Sequence, residues 1–405
     1  MKNGWVDKRL DDLVESNVIG LTKSSREQGK DRAWPYVKMN NITRDNRFDF
    51  SNFTSVDATD EEVRKLALKD GDFLFNTRNS VELVGKSCLY ESVSDDIVLF
   101  NNNIMRIRFK DGIESKFVLY AFSSKEVAEK LNELKSGTTN VAAIYYKDLR
   151  ELIIPTPPLP EQQRIVGILD EAFEGIATAT ANAEKNLHNA RALFESHLQS
   201  VFTQRGKGWG EKRLDQVCTF SSGGTPSKSK RSYWSGKIPW VSGRDMKSTQ
   251  LSDSLLHISR SAVDESSTRM APAGALLILV RGMGLVHGAQ IAELMVPCAF
   301  NQDIRAIHPE PDLIPRYLLF ALRDRINSSD NVLSSAAHGT LKIDSDELKR
   351  VMIPVPSRGH QQRVVATIDS LSEETQRLES IYQQKLAALD ELKKSLLHQA
   401  FSGAL

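Results

Sequence analysis

The sequence predicts an α+β protein with a pseudo-twofold internal repeat, in which two similar globular domains are separated by a pair of long antiparallel coiled-coil helices. The first observation is that GWVDKRLDDLV at residues 4–14 returns as GWGEKRLDQVC at residues 208–218. The second is that IIPTPPLPEQQRIVGILD at residues 153–170 returns as MIPVPSRGHQQRVVATID at residues 352–369. A helical pattern follows each copy of this second segment. The chain therefore divides into two units of about 200 residues, each large enough to bury a core.

We expect a first globular domain over residues 1–152, a first long helix over 153–205, a second globular domain over 206–351 and a second long helix over 352–405. Between matched positions such as Gly137-Thr138 and Gly339-Thr340, the two globular copies differ almost completely. This contrast indicates one scaffold that carries two different recognition surfaces, and duplex DNA is the commonest target that is read in two halves. Drift after an old duplication is the alternative.

Short β-branched and aromatic runs between turn residues predict the strands of the globular domains. In the first domain the clearest runs are FLFNTR at residues 73–78 and IMRIRF at residues 104–109, and a helix is expected around residues 116–134. In the second domain ALLILV at residues 275–280 is the most buried strand, and residues 315–325 are expected to form a helix.

Each long helix follows a proline-containing segment. The prolines between positions 155 and 160 predict an extended chain that cannot itself be helical, so the first helix should begin at Glu161. From Ile165 onward, apolar or small residues recur at alternating steps of four and three, which is typical of a coiled-coil seam. The seam positions are Ile165, Leu169, Ala172, Ile176, Ala179, Ala183, Ala190 and Leu193 in the first helix, and Val364, Ile368, Leu371, Leu378, Tyr382, Leu389, Leu392 and Leu396 in the second.

The first seam is rich in alanine and the second in leucine, which favours packing of the two helices on each other. Packed antiparallel, they would hold the globular domains at opposite ends of a rod about 60 Å long, so that helix length would fix the domain separation. The alternative is that each helix lies along its own globular domain.

The composition is that of a globular protein without a basic tail. Lys and Arg number 53 against 52 Asp and Glu, and this near-neutrality argues weakly against strong non-specific binding to nucleic acid without excluding a basic face. Cys88, Cys218 and Cys298 are too widely spaced for a metal-ligand pattern and fit a reducing compartment. The first residues hold no apolar signal region, and the longest apolar run, residues 275–280, is too short to cross a bilayer. We therefore expect a cytoplasmic protein.

No catalytic or cofactor motif is recognisable. The sequence lacks a Walker phosphate loop, a dinucleotide-binding glycine fingerprint, paired metal-ligand spacing and the (N/D/S)PP(Y/F) motif of adenine methyltransferases. We interpret GMG at residues 282–284 as a turn and not as a phosphate site. His188, His197 and His398 fall on the long helices, where a surface or interhelical role is expected.

The stretch at residues 227–247 is the best candidate for a nucleic-acid contact, because it holds six Lys and Arg residues against one acid and has aromatic residues between them. A solvated loop with its aromatic residues in the core is the alternative. A weaker counterpart follows the first-domain strand at Tyr36-Val37. The candidate contacts are Lys228, Lys230, Arg231 and Arg244 in the second domain, and Lys38, Asn40, Asn41 and Arg44 in the first.

Each domain also carries an arginine at the end of its internal strand, Arg78 in FNTRNS and Arg281 in LVRGMG, followed by Lys86 or His287. A cation beside a turn suits a phosphate or base contact. A structural role in bracing the turn is equally open.

Two variable domains that alternate with two helices, each helix preceded by an IP.P segment and EQQRIV..LD, resemble the DNA-specificity subunit of type I restriction-modification systems. The first copy of that segment matches almost residue for residue. The second departs from it at Ser357, Arg358 and Gly359, and has His360 where the first has Glu161. SSGGTPSKSKRSYWSGKIPWVSGRDM at residues 221–246 is similar to the opening of the family's target recognition domain, whereas the first domain keeps only WPYVKMNNI.

The resemblance implies a non-catalytic subunit whose two target recognition domains each read one part of a bipartite sequence in double-stranded DNA, with a non-specific spacer between the parts. It implies that the helices dock two methyltransferase subunits that methylate adenine, and that ATP-driven restriction and translocase subunits join them. S-adenosylmethionine, ATP and Mg are expected on those partners, with no cofactor on this chain and no membrane association. The alternatives are a pseudo-symmetric scaffold that binds two copies of a protein partner without DNA, and an enzyme with an unfamiliar active site.

Overall fold

The computed structural model describes residues 4–138, 141–203, 209–328, 333–335 and 341–405. The chain divides into two compact units, one of Met1–Glu184 with Gln383–Leu405 and the other of Lys185–Tyr382. Each unit contains one globular domain together with a part of each long helix. The predicted fold class, with mixed helices and strands in two repeated domains, is confirmed.

The first globular domain is built from short strands and five short helices in the described part of residues 4–156. Its strands are β1 (Val6–Arg9), β2 (Val14–Ile19), β3 (Gln28–Gly29), β4 (Trp34–Val37), β5 (Thr54–Val56), β6 (Phe73–Asn76), β7 (Arg78–Asn79), β8 (Ser87–Leu89), β9 (Leu99–Phe100), β10 (Ile104–Phe109), β11 (Ser136–Thr138), β12 (Val141–Ala143) and β13 (Ile153–Thr156). Its helices are α1 (Leu10–Leu13), α2 (Asp60–Leu66), α3 (Ser115–Ser123), α4 (Lys125–Glu133) and α5 (Tyr146–Leu149), and the long helix α6 (Leu159–Thr203) follows.

Two stacked sheets form the centre of the first domain. One has the strand order β2-β10-β6-β8 and the other β3-β5-β4-β9. Because side chains alternate along a strand, Phe73 and Phe75 of β6 face α3 and pack on Phe122, while Leu74 faces the second sheet and joins the cluster around Tyr36. The sheet β2-β10-β6-β8 is thus buried on both faces, between the helices and the second sheet.

The second globular domain repeats this plan. Its strands are β14 (Gly210–Arg213), β15 (Cys218–Ser222), β16 (Ile238–Val241), β17 (Gln250–Leu251), β18 (Leu256–Ile258), β19 (Arg269–Ala271), β20 (Leu276–Leu279), β21 (Ile291–Leu294), β22 (Cys298–Phe300), β23 (Ile304–Pro309), β24 (Leu333–Ser335), β25 (Leu341–Ile343) and β26 (Met352–Val355). Its helices are α7 (Arg260–Glu265), α8 (Pro315–Asn327) and α9 (Ser345–Arg350), and the long helix α10 (Arg358–Ser402) follows. The sheets have the orders β15-β23-β20-β21-β17 and β18-β16-β22-β19.

Three predicted boundaries need correction. The helix expected around residues 116–134 is two helices, α3 and α4, because Ser124 between them has an extended backbone and its hydroxyl bonds back to the carbonyl of Ala121 at 2.7 Å. The first long helix begins at Leu159 and not at Glu161. A proline is tolerated in the first turn of a helix, because the backbone N–H groups there have no helical acceptor and the N–H that Pro160 lacks is therefore not needed. Residues 282–284, expected as a plain turn, lead into a short 3₁₀ helix, Met283–His287.

The two long helices, of 45 residues each, run antiparallel within each unit. In the first unit the ammonium of Lys393, near the end of α10, lies 5.3 Å from the ring centroid of Phe173, near the start of α6. In the second unit Arg191, in the last third of α6, pairs with Glu379, in the first half of α10, at 3.0 Å. The predicted packing of one helix on the other is confirmed by these contacts.

The helices also lie against the globular domains. The alternative prediction was that each helix lies along its own globular domain. The start of α6 and the end of α10 enter the core of the first unit, and the end of α6 and the start of α10 enter the core of the second. Phe202, for example, packs on Tyr317 of α8 with ring centroids 5.7 Å apart. Both interpretations therefore hold, for different stretches of the same helices.

The seam prediction is wrong near the end of each helix. Leu193 and Leu392 are 64% and 48% exposed. Phe194 is buried in place of Leu193, and Leu397 is buried towards the end of α10. The reason is that the last turns pack on a globular core as well as on the other helix, so the buried stripe leaves the 3.5-residue repeat.

One glutamine of the repeated QQR motif ties each long helix to its globular domain. Gln162 is buried; its Oε1 accepts from the N–H of Glu114 at 2.9 Å, and its Nε2 donates to the carbonyls of Gly112 and Pro157. Gln361 makes the corresponding bonds in the second unit, accepting from Ile314 and donating to Asp312 and Pro356. This clamp explains why both copies carry the residue.

A lysine or arginine ion pair accompanies the glutamine clamp in each unit. Lys116 of α3 pairs with Asp170 of α6 at 2.7 Å, and Arg316 of α8 pairs with Asp369 of α10 at 2.8 Å. The two copies therefore join helix and domain through equivalent residues, as expected for a duplicated unit.

We expect Gln162→Ala to destabilise the first unit by about 3 kcal/mol, because it leaves the N–H of Glu114, the carbonyl of Gly112 and the buried carbonyl of Pro157 without their partner. At roughly 2–4 °C per kcal/mol for a body of this size, the unfolding midpoint should fall by about 6–12 °C in a thermal melt. The neighbouring Gln163 is exposed and provides the matched control. An equal loss in Gln163→Ala, or no loss in Gln162→Ala, would contradict the clamp.

Candidate nucleic-acid interface

The first-domain candidates lie on two adjacent segments, the loop after β4 and the turn between β7 and β8. The ammonium of Lys86 donates to the carbonyl of Met39 at 2.8 Å and also to that of Ile42. Arg44 lies 3.8 Å from Glu82 of the turn. The structure therefore brings together two groups of residues that are about 40 positions apart in the sequence.

Two of these residues are engaged within the protein. Asn41 is fully buried, with its amide donating to the carbonyls of Asp49 and Asn52 and its Oδ1 accepting from the N–H of Lys38. Partial burial lowers the pKa of Lys86, whose ammonium is occupied by the loop carbonyls. Asn41 and Lys86 shape the loop from inside, and we leave them out of the proposed contact surface.

The remaining first-domain candidates are more accessible. Lys38 is half-buried, with its ammonium 3.3 Å from Oε1 of Gln28, and Asn40 and Arg44 are exposed. Arg78 is exposed, and its guanidinium has no hydrogen-bond or ion-pair partner in the described part of the chain. Asn40, Arg44 and Arg78 thus offer polar groups to solvent from one edge of the domain.

In the second domain, the aromatic residues of the basic stretch pack into the domain and hold the stretch in place. Tyr233 and Trp240 are buried, and Trp234 meets Trp240 edge to face with ring centroids 5.0 Å apart. The indole N–H of Trp240 donates to the carbonyl of Gly224 at 3.1 Å. The aromatic residues therefore lie in the core, as the alternative interpretation expected, and they hold a loop that presents cations outwards.

The two glycines of the GGTP sequence before this stretch are required for steric reasons. A side chain at Gly223 would place its Cβ 2.2 Å from the carbonyl oxygen of Asn301, and one at Gly224 would lie 2.5 Å from the carbonyl oxygen of Ser267. At Gly223 the chain passes the end of β22, and at Gly224 it passes the segment before β19, too closely in both places for a side chain. The cationic loop is consequently fixed at its base.

The cations of the loop fall into two groups. Lys228, Arg231 and Arg244 are exposed and have no side-chain partner among the described residues. Lys230 instead pairs with Glu265 at 2.7 Å and lies over the ring of Tyr233, and the hydrogen bonds to these two residues raise its pKa. Lys237 and Lys247, in the same stretch but not among our predicted contacts, are also exposed and unpaired in the described part.

Arg281 occupies the place of Arg78 in the repeat. Its backbone bridges to Lys342 as that of Arg78 pairs with Ala143, and its side chain is exposed. A Cβ on Gly243, next to Arg244, would contact Leu279 at 3.3 Å, so the basic loop passes beside the strand that leads to Arg281. His287 is the last residue of the short 3₁₀ helix, and its side chain lies outside the described residues.

The described residues contain no cluster suited to a metal ion, and their cysteines are buried. No group of three or more His, Cys, Asp or Glu among them is placed to hold a metal ion. Burial raises the pKa of the Cys88 and Cys218 thiols to about 12 and that of Cys298 to about 11, so these thiols stay protonated near neutral pH. None of the described helices carries an apolar stretch that could cross a membrane.

A groove in the first unit is lined by none of the predicted contact residues. It has a volume of about 480 Å³ and lies between the strands β1 and β13, helix α4 and the end of α10. Glu126, Glu133 and Glu151 are on its lining together with Val127 and Phe401. Its acidic character is unsuited to phosphate contact.

The two domains repeat one two-sheet scaffold, and each presents exposed cations. The family model for the type I restriction modification DNA specificity domain matches residues 2–187 and again residues 206–387. The chain belongs to this family, and the predicted resemblance is confirmed.

Curated relatives have the same class. The chain is 32% identical over 226 residues to the EcoR124I/EcoR124II specificity subunit of Escherichia coli, an alignment that covers 54% of this chain and 55% of that protein. It is 22% identical over 420 residues to the putative MjaX specificity subunit of Methanocaldococcus jannaschii, covering 99% of this chain and 93% of that protein. The first alignment thus spans about half of the relative. Because the family and these relatives are specificity subunits, the predicted class of non-catalytic subunit is confirmed.

Solved structures share the fold. A chain from a study of complex assembly and conformational transition of the type I restriction-modification system superposes with a TM-score of 0.78 at 21% identity, covering 100% of this chain and 99% of that chain. The HsdS subunit from Thermoanaerobacter tengcongensis gives a TM-score of 0.60 at 20% identity, covering 100% and 98%. These likenesses extend over the whole chain.

Proposed function

We propose that this chain is the DNA-reading subunit of a type I restriction-modification complex, and that its two domains read the two parts of a bipartite target separated by a non-specific spacer. The observation that carries the proposal is that the two domains share one backbone scaffold but present different side chains at equivalent surface positions. Arg78 and Arg281 occupy the same place in the two domains, but their neighbours differ, Glu82 and Arg44 in one and Met283 and Arg244 in the other. Different groups at equivalent positions are what reading of two different sequences requires.

The partners follow from the same repeat. The clamped starts of α6 and α10 give two equivalent helix-and-domain junctions, and we propose that each docks one methyltransferase subunit, with restriction and translocase subunits joining the assembly. S-adenosylmethionine, ATP and Mg would be bound by those partners, with no cofactor on this chain. The complex would act on DNA in the cytoplasm.

Binding of the assembled methyltransferase complex to altered duplexes tests this function. On a duplex that carries the sequence methylated in cells, scrambling either part should weaken binding by at least tenfold, whereas scrambling the spacer at constant length should have little effect. Loss of binding on scrambling the spacer, or indifference to one of the two parts, would contradict the bipartite proposal.

Helix length should set the spacer under this proposal. We expect that inserting four residues into α6 near Ala183 and four into α10 near Leu378 lengthens the spacer by one or two base pairs, because one helical turn of about 5.4 Å exceeds the rise of about 3.4 Å per base pair. Sequencing of methylated bases in cells would measure the new spacer. An unchanged spacer in a complex that still methylates DNA would reject the idea of a ruler.

A further inference from the structure

The turn that follows Arg281 presents two large apolar side chains to solvent. In the 3₁₀ helix Met283–His287, Met283 is 70% exposed and Val286 is 57% exposed, while Leu285 between them is buried. Side chains three positions apart eclipse in a 3₁₀ helix, so Met283 and Val286 project from the same face. Arg281, two residues before Met283, is exposed, and its guanidinium has no partner among the described residues.

The turn is firmly held on its inner side. Gly282 and Gly288 at its two ends have φ of +143° and +95°, which favour glycine. The N–H of Ala289 donates to Oδ1 of Asn327 on α8 at 2.9 Å, and the amide of Gln290 donates to the carbonyl of Gly284 at 3.1 Å. Anchored at both ends and through Leu285, the turn keeps the apolar pair exposed.

The equivalent turn of the first domain has different chemistry in the same place. After Arg78, residues 81–85 form a turn that leads to β8, and its outward residue Glu82 has a side chain that is 83% exposed. Val84 of this turn is buried, in contrast to Val286. The same stretch of the scaffold thus presents Val81 and the more exposed Glu82 in one domain, and Met283 and Val286 in the other.

We propose that Met283 and Val286 contact the C5-methyl group of a thymine in the major groove, while Arg281 binds a phosphate beside it; this rests on the proposed function. Among base edges in the major groove, the thymine methyl is the apolar group, whereas the other positions offer hydrogen-bond donors and acceptors that Met and Val cannot satisfy. The flanking cation attracts the backbone and positions the apolar pair over the edge. The part of the target read by the second domain therefore contains a thymine that is recognised by its methyl group.

Uracil substitution isolates that methyl group, because a duplex with dU in place of dT loses nothing else on the groove edge. The assembled methyltransferase complex would be titrated with fluorescent duplexes carrying its methylated sequence, with each thymine of the second part replaced in turn by dU. At one position the wild type should bind about fourfold more weakly, the factor for burial of one methyl group. The double variant Met283→Ala/Val286→Ala should bind the dT duplex more weakly and should no longer distinguish dT from dU there.

Met295→Ala is the matched control, since Met295 is an exposed methionine of the same domain outside this turn, and it should behave as the wild type. The inference is overturned if no dU position separates the wild type from the double variant, or if the second part contains no thymine. Loss of affinity without methyl dependence, together with DNA bending lost in the double variant, would instead mean that the pair wedges between base steps. Failure of the wild type to prefer its methylated sequence over a scrambled one would refute the proposed function, and this inference with it.

Discussion

Exchange of residues 1–152 for the first domain of another family member is expected to change one part of the recognised sequence and to leave the other part and the spacer unchanged. The reason is that the candidate contacts of the first domain, Arg44, Arg78 and their loop, all lie within the exchanged segment. The contacts that fix the domain to α6 use backbone groups of Gly112 and Glu114 and the side chain of Lys116, which a donor with the same clamp would supply.

The exchange has to respect one feature of the fold. Strand β1 pairs antiparallel with β13, with Val6 opposite Thr156 and Arg9 opposite Ile153. The donor should therefore be a family member that has the same IIPTP segment after its first domain. The first strand of the donor domain can then pair with β13 of this chain. The reciprocal exchange of residues 206–351 is the control and should change only the other part. Methylated-base sequencing that shows both parts changed, or neither, would contradict the assignment of one part to each domain.

Removal of three unpaired cations from the second domain should have the next largest effect. We expect Lys228→Gln, Arg231→Gln and Arg244→Gln together to weaken DNA binding by about 100-fold near physiological salt, and to reduce the slope of log affinity against log salt by about 2–3. These side chains are exposed and have no partner in the described part of the chain, so their positive charge is available for phosphates.

Lys230→Gln provides a control within the same loop. Because Lys230 is paired with Glu265, its loss should reduce the salt slope far less than the loss of any unpaired neighbour. Assembly with the methyltransferase subunits, followed by gel filtration, should be normal for both variants. A triple variant with unchanged affinity and salt slope would favour the scaffold that does not bind DNA.

Much of the fold could be predicted, because the repeated motifs and the apolar runs determine strands and helix starts through interactions between residues close in sequence. The apolar run at residues 104–109 forms a strand over that whole range, and Pro315 begins α8 as a proline at a first helical position should. The break at Ser124 was missed because the apolar pattern continues across it. Leu193 and Leu392 were misplaced because a helix that leaves a partner helix for a globular core no longer follows one repeat.

The candidate site could be predicted only as a set of cations. The sequence does not reveal which of them are neutralised within the fold, since the partner of Lys230 is 35 positions away and that of Lys86 is 47 positions away. Burial of Asn41 depends on a loop closure of the same kind. Gln162 and Gln361 were visible as a repeated motif, but their role as a clamp required the positions of the carbonyls they bind.

Sequencing of methylated bases in cells that carry this gene together with its genomic neighbours tests the central claim most directly. Two unlike readers on one repeated scaffold predict a single methylated motif with two short specific parts of different sequence, separated by a spacer of fixed length and free composition. A continuous motif, or methylation that does not depend on this gene, would contradict the account.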